Sequence, residues 1–181
     1  REFMNTPLDQ LFEKTRAEKR AALIAYIPAG FPTIKDCHRV IQAFVDGGVD
    51  AIEIGFPYSD PVMDGPTIQK AAEMALANGA TAKDVMSTVA RVKSAGAVPL
   101  VMSYWNPIER YGVERFSQEL AAAGGVGVIT PDLTPEEAGE WTAATDKSDI
   151  QRIYLVAPSS KDNRLEIVAD ATTGFIYAAS L

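Results

Sequence analysis

Residues 50–69, DAIEIGFPYSDPVMDGPTIQ, place a carboxylate inside what otherwise reads as a buried strand. The apolar run spans 49–56, yet Glu53 stands in its middle, and two more acids, Asp60 and Asp64, follow among prolines and glycine. Residues two apart in a strand share a face. Glu53 therefore lies on the side of Ala51 and Gly55, while Ile52, Ile54 and Phe56 point the other way. The bulky side should meet helices, and the small side should face an interior. A carboxyl ringed by small and apolar groups loses hydration, which raises its pKa. Poised near neutrality, it can give and take a proton at working pH. The alternative is a structural carboxylate paired to an inward Arg or Lys. No inner-strand base is evident, because Arg152 lies at the start of its strand.

Outward from this stretch, short apolar runs alternate with helical periods. Strands are expected over 22–29, 49–56, 98–104, 126–130, 152–157 and 175–179. Helices are expected from Thr33 to Gly47, over 66–78, from Thr81 to Gly96, over 113–123, from Thr134 onward and over 162–171. At Thr134 the signals are an N-cap, a proline at the first helical position, then first-turn acids. Strands this apolar on both faces argue for a parallel sheet covered by helices. An open doubly wound sheet would show a glycine-rich phosphate turn after strand one, but the turn is AGFPT, with no GxGxxG. A (β/α)8 barrel places its chemistry at the C-terminal ends of strands. There the polar residues gather: Glu53, Asp60, Asp64, Tyr104, Asn106, Asp132 and Ser159. The fold class expected is therefore α/β, an incomplete TIM (β/α)8 barrel with strands one to six and a helix over 7–19 capping its bottom. Residues 1–3, before Met4, read as a cloning scar. Residues 4–181 read as one barrel domain lacking units seven and eight.

The bulk composition narrows the function classes. The 181 residues are 47% hydrophobic with net charge −7, enough for one globular domain and without a basic nucleic-acid footprint. No apolar run reaches the ~18 residues of a membrane span. One cysteine, Cys37, forms no internal disulfide and suits a reducing cytosol. With a single histidine, His38, a His/Cys metal site is not expected. Cys37 sits on an apolar helix stripe and reads as packing rather than as a nucleophile.

Asp64 could be held over the barrel mouth, facing Glu53 across a ligand. Two carboxyls of different exposure suit two separate proton transfers. The plainer reading, preferred for Asp60, is turn chemistry or a cap for the helix that starts near Pro66. Tyr26, Tyr104 and Tyr177 could line the mouth or fill the core.

The run EIGFPYSDPVMDG at 53–65 resembles the signature of the tryptophan synthase alpha subunit family. Further matches are IPAGFPT at 27–33, MSYWNPIERYG at 102–112, GVITPDLTPEE at 127–137 and GFIYAASL at 174–181. The resemblance implies a (β/α)8 barrel that cleaves indole-3-glycerol phosphate by retro-aldol reaction to indole and glyceraldehyde 3-phosphate, in tryptophan biosynthesis. It implies no cofactor and no metal. Glu53 matches the glutamate that shuttles a proton at indole C3 and the glycerol hydroxyl. Asp64 matches the aspartate that accepts the indole N–H proton. Tyr26, Tyr104 and Tyr177 match positions lining the indole pocket. Pro57 and the Asn106–Pro107 region match the face that docks a beta subunit. Met63 stands where the family usually has a small residue, so a changed contact at the mouth is expected. The family's phosphate site lies in units seven and eight, so weak or no lyase activity is expected of these 181 residues alone. The competing reading is a noncatalytic fragment that binds the beta subunit or self-associates through open sheet edges. Another phosphate-sugar barrel is a weaker alternative.

Overall fold

A computed structural model describes residues 5–180; the expected scar at 1–3 lies outside them. Helix α1 (Pro7–Ala17) opens the described chain, capped by Thr6, whose hydroxyl accepts from the Asp9 N–H while the Asp9 carboxylate accepts from the Thr6 N–H. Then come β1 (Ile24–Pro28), α2 (Ile34–Asp46), β2 (Ala51–Gly55), α3 (Pro66–Ala77), α4 (Ala82–Ala95) and β3 (Val98–Met102). They are followed by α5 (Trp105–Tyr111), α6 (Val113–Ala123), β4 (Gly127–Ile129), α7 (Gly139–Ser148), β5 (Gln151–Ile153), β6 (Leu155–Val156), α8 (Asp162–Ala171) and β7 (Tyr177–Ala178). Strands β1 to β5 pair in chain order, all parallel, and β6 pairs in parallel with β7. Sequential parallel strands joined by helices on one side form the wall of a (β/α) barrel.

The period-two pattern divides the wall into two cores. Ile27, Ile52, Ile54, Val101 and Val128 pack outward against the helices, with Ile41, Val89 and Phe116 fully buried there. Ala51, Leu100, Ile129 and Ile153 face inward, where Leu8 and Leu11 of α1 pack against them. The N-terminal helix thus covers the interior where the strands begin, as expected of the helix over 7–19. Left-handed glycines, Gly96 (φ 97) and Gly124 (φ 94), stop α4 and α6 so that the chain can re-enter the sheet.

Three expectations need correction, and one helix falls where none is expected. The strand expected over 152–157 is interrupted at Tyr154, whose side chain is buried in the helix-side core. Its first part joins β4, while its second part pairs with β7. The strand expected over 175–179 is correspondingly only two residues long, because Thr173 and Gly174 bond the Arg152 carbonyl before the ladder begins. Thr134 does not cap a long helix. Its hydroxyl donates to the Glu137 carboxylate within a 3-10 turn (Pro135–Glu137), and α7 starts only at Gly139. Finally, 105–111 is helical although Pro107 lies inside its first turn, where no N–H is needed. The Asp132 carboxylate accepts the Trp105 N–H at 2.9 Å, a cap supplied from 27 positions away.

Candidate active site

The inward row of side chains across the sheet is Tyr26, Glu53, Leu100, Gly127 and Gln151, set by the strand registers. Glu53 is therefore flanked across the sheet by a phenol ring and a leucine, neither of them a base. It is 6% exposed, and none of the ion pairs among the described residues includes it. The one buried arginine on a strand, Arg152, points toward the helices and bonds Asp146 and Thr145. The structural-carboxylate reading of Glu53 thus has no cation to rest on. Burial, and secondly the nearby Asp64 charge, push the Glu53 pKa up to about 7.

Glu53 and Asp64 open on one cleft of about 470 Å³, which Tyr26, Met102, Phe175 and Tyr177 also line. Most of its wall is apolar, with the two carboxyls and two phenols as its main polar groups. Asp64 is only partly buried; desolvation raises its pKa, and hydrogen bonding from Tyr104 opposes the rise. The two acids thus differ in exposure while sharing one space. Tyr26 is held under the strand end by a glycine: a Cβ on Gly55 would stand 2.7 Å from Tyr26 Cζ and closer still to its hydroxyl.

The three tyrosines separate. Tyr26 and Tyr177 line the cleft. Tyr104 does not line it. Its ring is 3% exposed, and its hydroxyl accepts the backbone N–H groups of Met63 at 3.0 Å and Asp64 at 3.2 Å. Asp60 is exposed, and Ser59 donates to its carboxylate. Neither Asp60 nor Asp64 caps the helix after the loop, whose N-cap is Gly65 with no side-chain bond. Met63 lines the cleft, where the resemblance implies a changed contact. Phe175, Leu155, Ile68 and Met102 also line the cleft without having been singled out from the sequence. Phe175 was accessible to that reading, since 175–179 was expected as a strand. Ile68 shares an apolar helix side with Ala71, Ala72 and Ala75 in the sequence, but that this side meets the cleft depends on how α3 docks.

On the outer rim, Phe56, Pro57, Tyr58, Asn106, Pro107, Arg110 and Tyr111 form a shallower groove of about 290 Å³. Among the described residues no group of three or more His, Cys, Asp or Glu could hold a metal ion, and no helix is long and apolar enough to cross a membrane.

The sequence profile of the family "Tryptophan synthase alpha chain" matches residues 12–181. The tryptophan synthase alpha chain of Thermobifida fusca is 60% identical over 176 residues, covering 97% of this chain and 65% of that protein. That of Mycobacteroides abscessus is 56% identical over 173 residues, covering 96% and 66%. The chain therefore spans a little under two thirds of these relatives' length. Among solved structures, tryptophan synthase of Mycobacterium tuberculosis superposes with a TM-score of 0.95 at 49% identity, over 97% of this chain and 68% of that one. The tryptophan synthase alpha subunit of Legionella pneumophila superposes with a TM-score of 0.92 at 34% identity, over 97% and 68%.

Proposed function

This chain belongs to the tryptophan synthase alpha chain family, and from that premise we propose that it serves as a lyase cleaving indole-3-glycerol phosphate to indole and glyceraldehyde 3-phosphate. The observation that carries the reading is Glu53: a buried carboxyl with no cation, titrating near 7, on the same cleft as a second carboxyl of different exposure. In the proposed sequence, protonated Glu53 gives its proton to indole C3 while Asp64 takes the ring N–H proton, forming the indolenine. Glu53, now ionised, takes the proton of the glycerol hydroxyl. The C–C bond to the ring breaks, the new aldehyde leaves as glyceraldehyde 3-phosphate, and its electron pair returns to the ring. Asp64 hands the proton back to the ring nitrogen, so both acids end as they began. Such positioned proton transfers contribute roughly 10²–10⁴-fold each. Tyr26 and Tyr177 supply flat walls for the indole ring.

The direct test is indole release from indole-3-glycerol phosphate. A test that asks only for the ring slot and the two carboxyls is hydrogen–deuterium exchange at C3 of free indole, followed by NMR. The expected result is acceleration that is lost in both Glu53→Gln and Asp64→Asn. Acceleration that survives either change overturns the assignment of roles.

The reading extends to one barrel domain, a cytoplasmic location, and docking of a beta subunit on the rim groove around Pro57 and Asn106, tested by titration with that subunit. Self-association is a second reading, favoured by β1, whose outer edge has no strand partner among the described residues. Concentration-dependent light scattering tests it, and a monomer at all concentrations counts against it.

A further inference from the structure

The loop from Phe56 to Gly65 carries Asp64 and is tied at its ends: the Phe56 N–H donates to the Met102 carbonyl, and the Asp64 carbonyl accepts from Gln69 Nε2 at 2.7 Å. Asp60, Val62 and Met63 are exposed, and Val62 is 77% so. Among the described residues, the backbone N–H groups of Met63 and Asp64 both bond to a single acceptor, the hydroxyl of Tyr104. That hydroxyl is itself well anchored. Tyr104 ends the β3 unit as the N-cap residue of α5, with its ring 3% exposed. The Tyr58 ring packs on it with centroids 5.7 Å apart, and the Tyr58 hydroxyl accepts from Asn106 Nδ2 at 2.8 Å. The next residue, Trp105, is fixed through its N–H by Asp132.

We propose that Tyr104 is a positioning residue: by accepting the Met63 and Asp64 N–H groups, its hydroxyl holds the Asp64 carboxyl over the cleft that Glu53 lines. The physical reason is that two adjacent, half-buried N–H groups turned toward the Tyr104 ring bond its hydroxyl or must turn to water. A phenylalanine would preserve the packing but offer no acceptor, so the loop would turn those donors to water and carry Asp64 with it. Tyr104 then acts through the loop backbone and through its hydrogen bond to the Asp64 carboxyl, whereas Tyr26 and Tyr177 act through their ring faces.

The proposal rests on the reading of Glu53 and Asp64 as the proton-transfer pair, but its test needs no substrate, so the two can fail separately. In the unaltered chain, the Met63 and Asp64 amides should exchange with deuterium at least about tenfold more slowly than the Val62 amide. In Tyr104→Phe they should speed up to the Val62 rate while amides of β1 to β3 stay unchanged. The carboxyl of Glu53, followed by NMR, should titrate lower in Tyr104→Phe, part of the way toward its midpoint in Asp64→Asn, because the neighbouring charge and the cover have both moved away. If Tyr104 merely fills a slot, Tyr104→Phe behaves as the unaltered chain and only Tyr104→Leu shifts the Glu53 midpoint; that result overturns the proposal. Equal protection of Met63, Asp64 and Val62 in the unaltered chain overturns it as well, whether or not either variant folds.

Discussion

Two carboxylates three residues apart, one just before β2 and one in its middle, are driven in opposite directions. Asp50 lies just before the strand and accepts both terminal nitrogens of Arg20, at 2.7 and 2.8 Å, and the Leu23 N–H at 2.8 Å. Those bonds to Arg20, against the opposing cost of burial, hold its pKa down to about 2. Glu53 has burial without a cation, and its pKa rises to about 7. The side-chain chemistry is nearly the same, so the difference comes from what the fold puts opposite each one. Asp50 staples the turn between α1 and β1 to the next strand; Glu53 has no such cation among the described residues, which is what the proposed proton transfer needs. A carboxylate near a strand is thus either a structural tie or a reactive group according to whether a guanidinium can reach it.

The contrast is broken most severely at Glu53. Glu53→Gln removes the titrating group and should lower indole C3 exchange by roughly 10²–10⁴-fold, read by NMR. The same variant should also flatten the pH dependence of stability. With a folded pKa near 7 against 4.5 in the unfolded chain, Glu53 makes the folded state bind the extra proton between those values. That stabilisation is fully present below pH 4.5 and is lost as pH rises through 7. By pH 8 the loss approaches roughly 3 kcal/mol; with part already gone at pH 5, urea titrations at pH 5 and 8 should differ by about 2.5 kcal/mol from this group in the unaltered chain but not in Glu53→Gln.

At the other carboxylate the sign reverses. Asp50→Asn should cost about 2 kcal/mol at pH 7, since charged hydrogen bonds to Arg20 are lost. Asp50 is stabilising above its unfolded pKa of 3.8, and its contribution is lost as pH falls through about 2. Denaturation midpoints of the two chains should therefore converge toward that pH; a gap that persists there would show that Asp50 acts by packing and not by charge. The smallest expected effect lies at the strand's end. Gly55→Ala forces a methyl onto the Tyr26 ring and should cost about 1–2 kcal/mol, measured by thermal unfolding, with Tyr26→Phe relieving part of it.

How far these features could be read from the sequence depends on the range of the interaction. The face of Glu53 follows from alternation within seven residues, because Ala51 and Gly55 share it. Parallel strands were legible as apolar runs, and the covering role of α1 as a helix over 7–19 ahead of the first strand. The break at Tyr154 was not legible, since it arises where the chain leaves β4 and takes up β7 as a partner. Helix α5 was missed because its cap, Asp132, comes from beyond β4. Arg20 and Asp50 are 30 positions apart, and no local pattern joins them. Tyr104 read as one aromatic among several, because what its hydroxyl bonds is a backbone 40 positions away.

The sequence by itself determined the alternation that turns Glu53 to one side of its strand, the helix–strand rhythm of a parallel wall, and the motif that marks the family, all of them encoded in neighbours. Only the tertiary structure decided which carboxylate meets a cation, which tyrosines face the cleft, and which one holds the loop. Those outcomes depend on distances between segments far apart in the chain, and burial sets the energy of a charge only once the fold has chosen its surroundings.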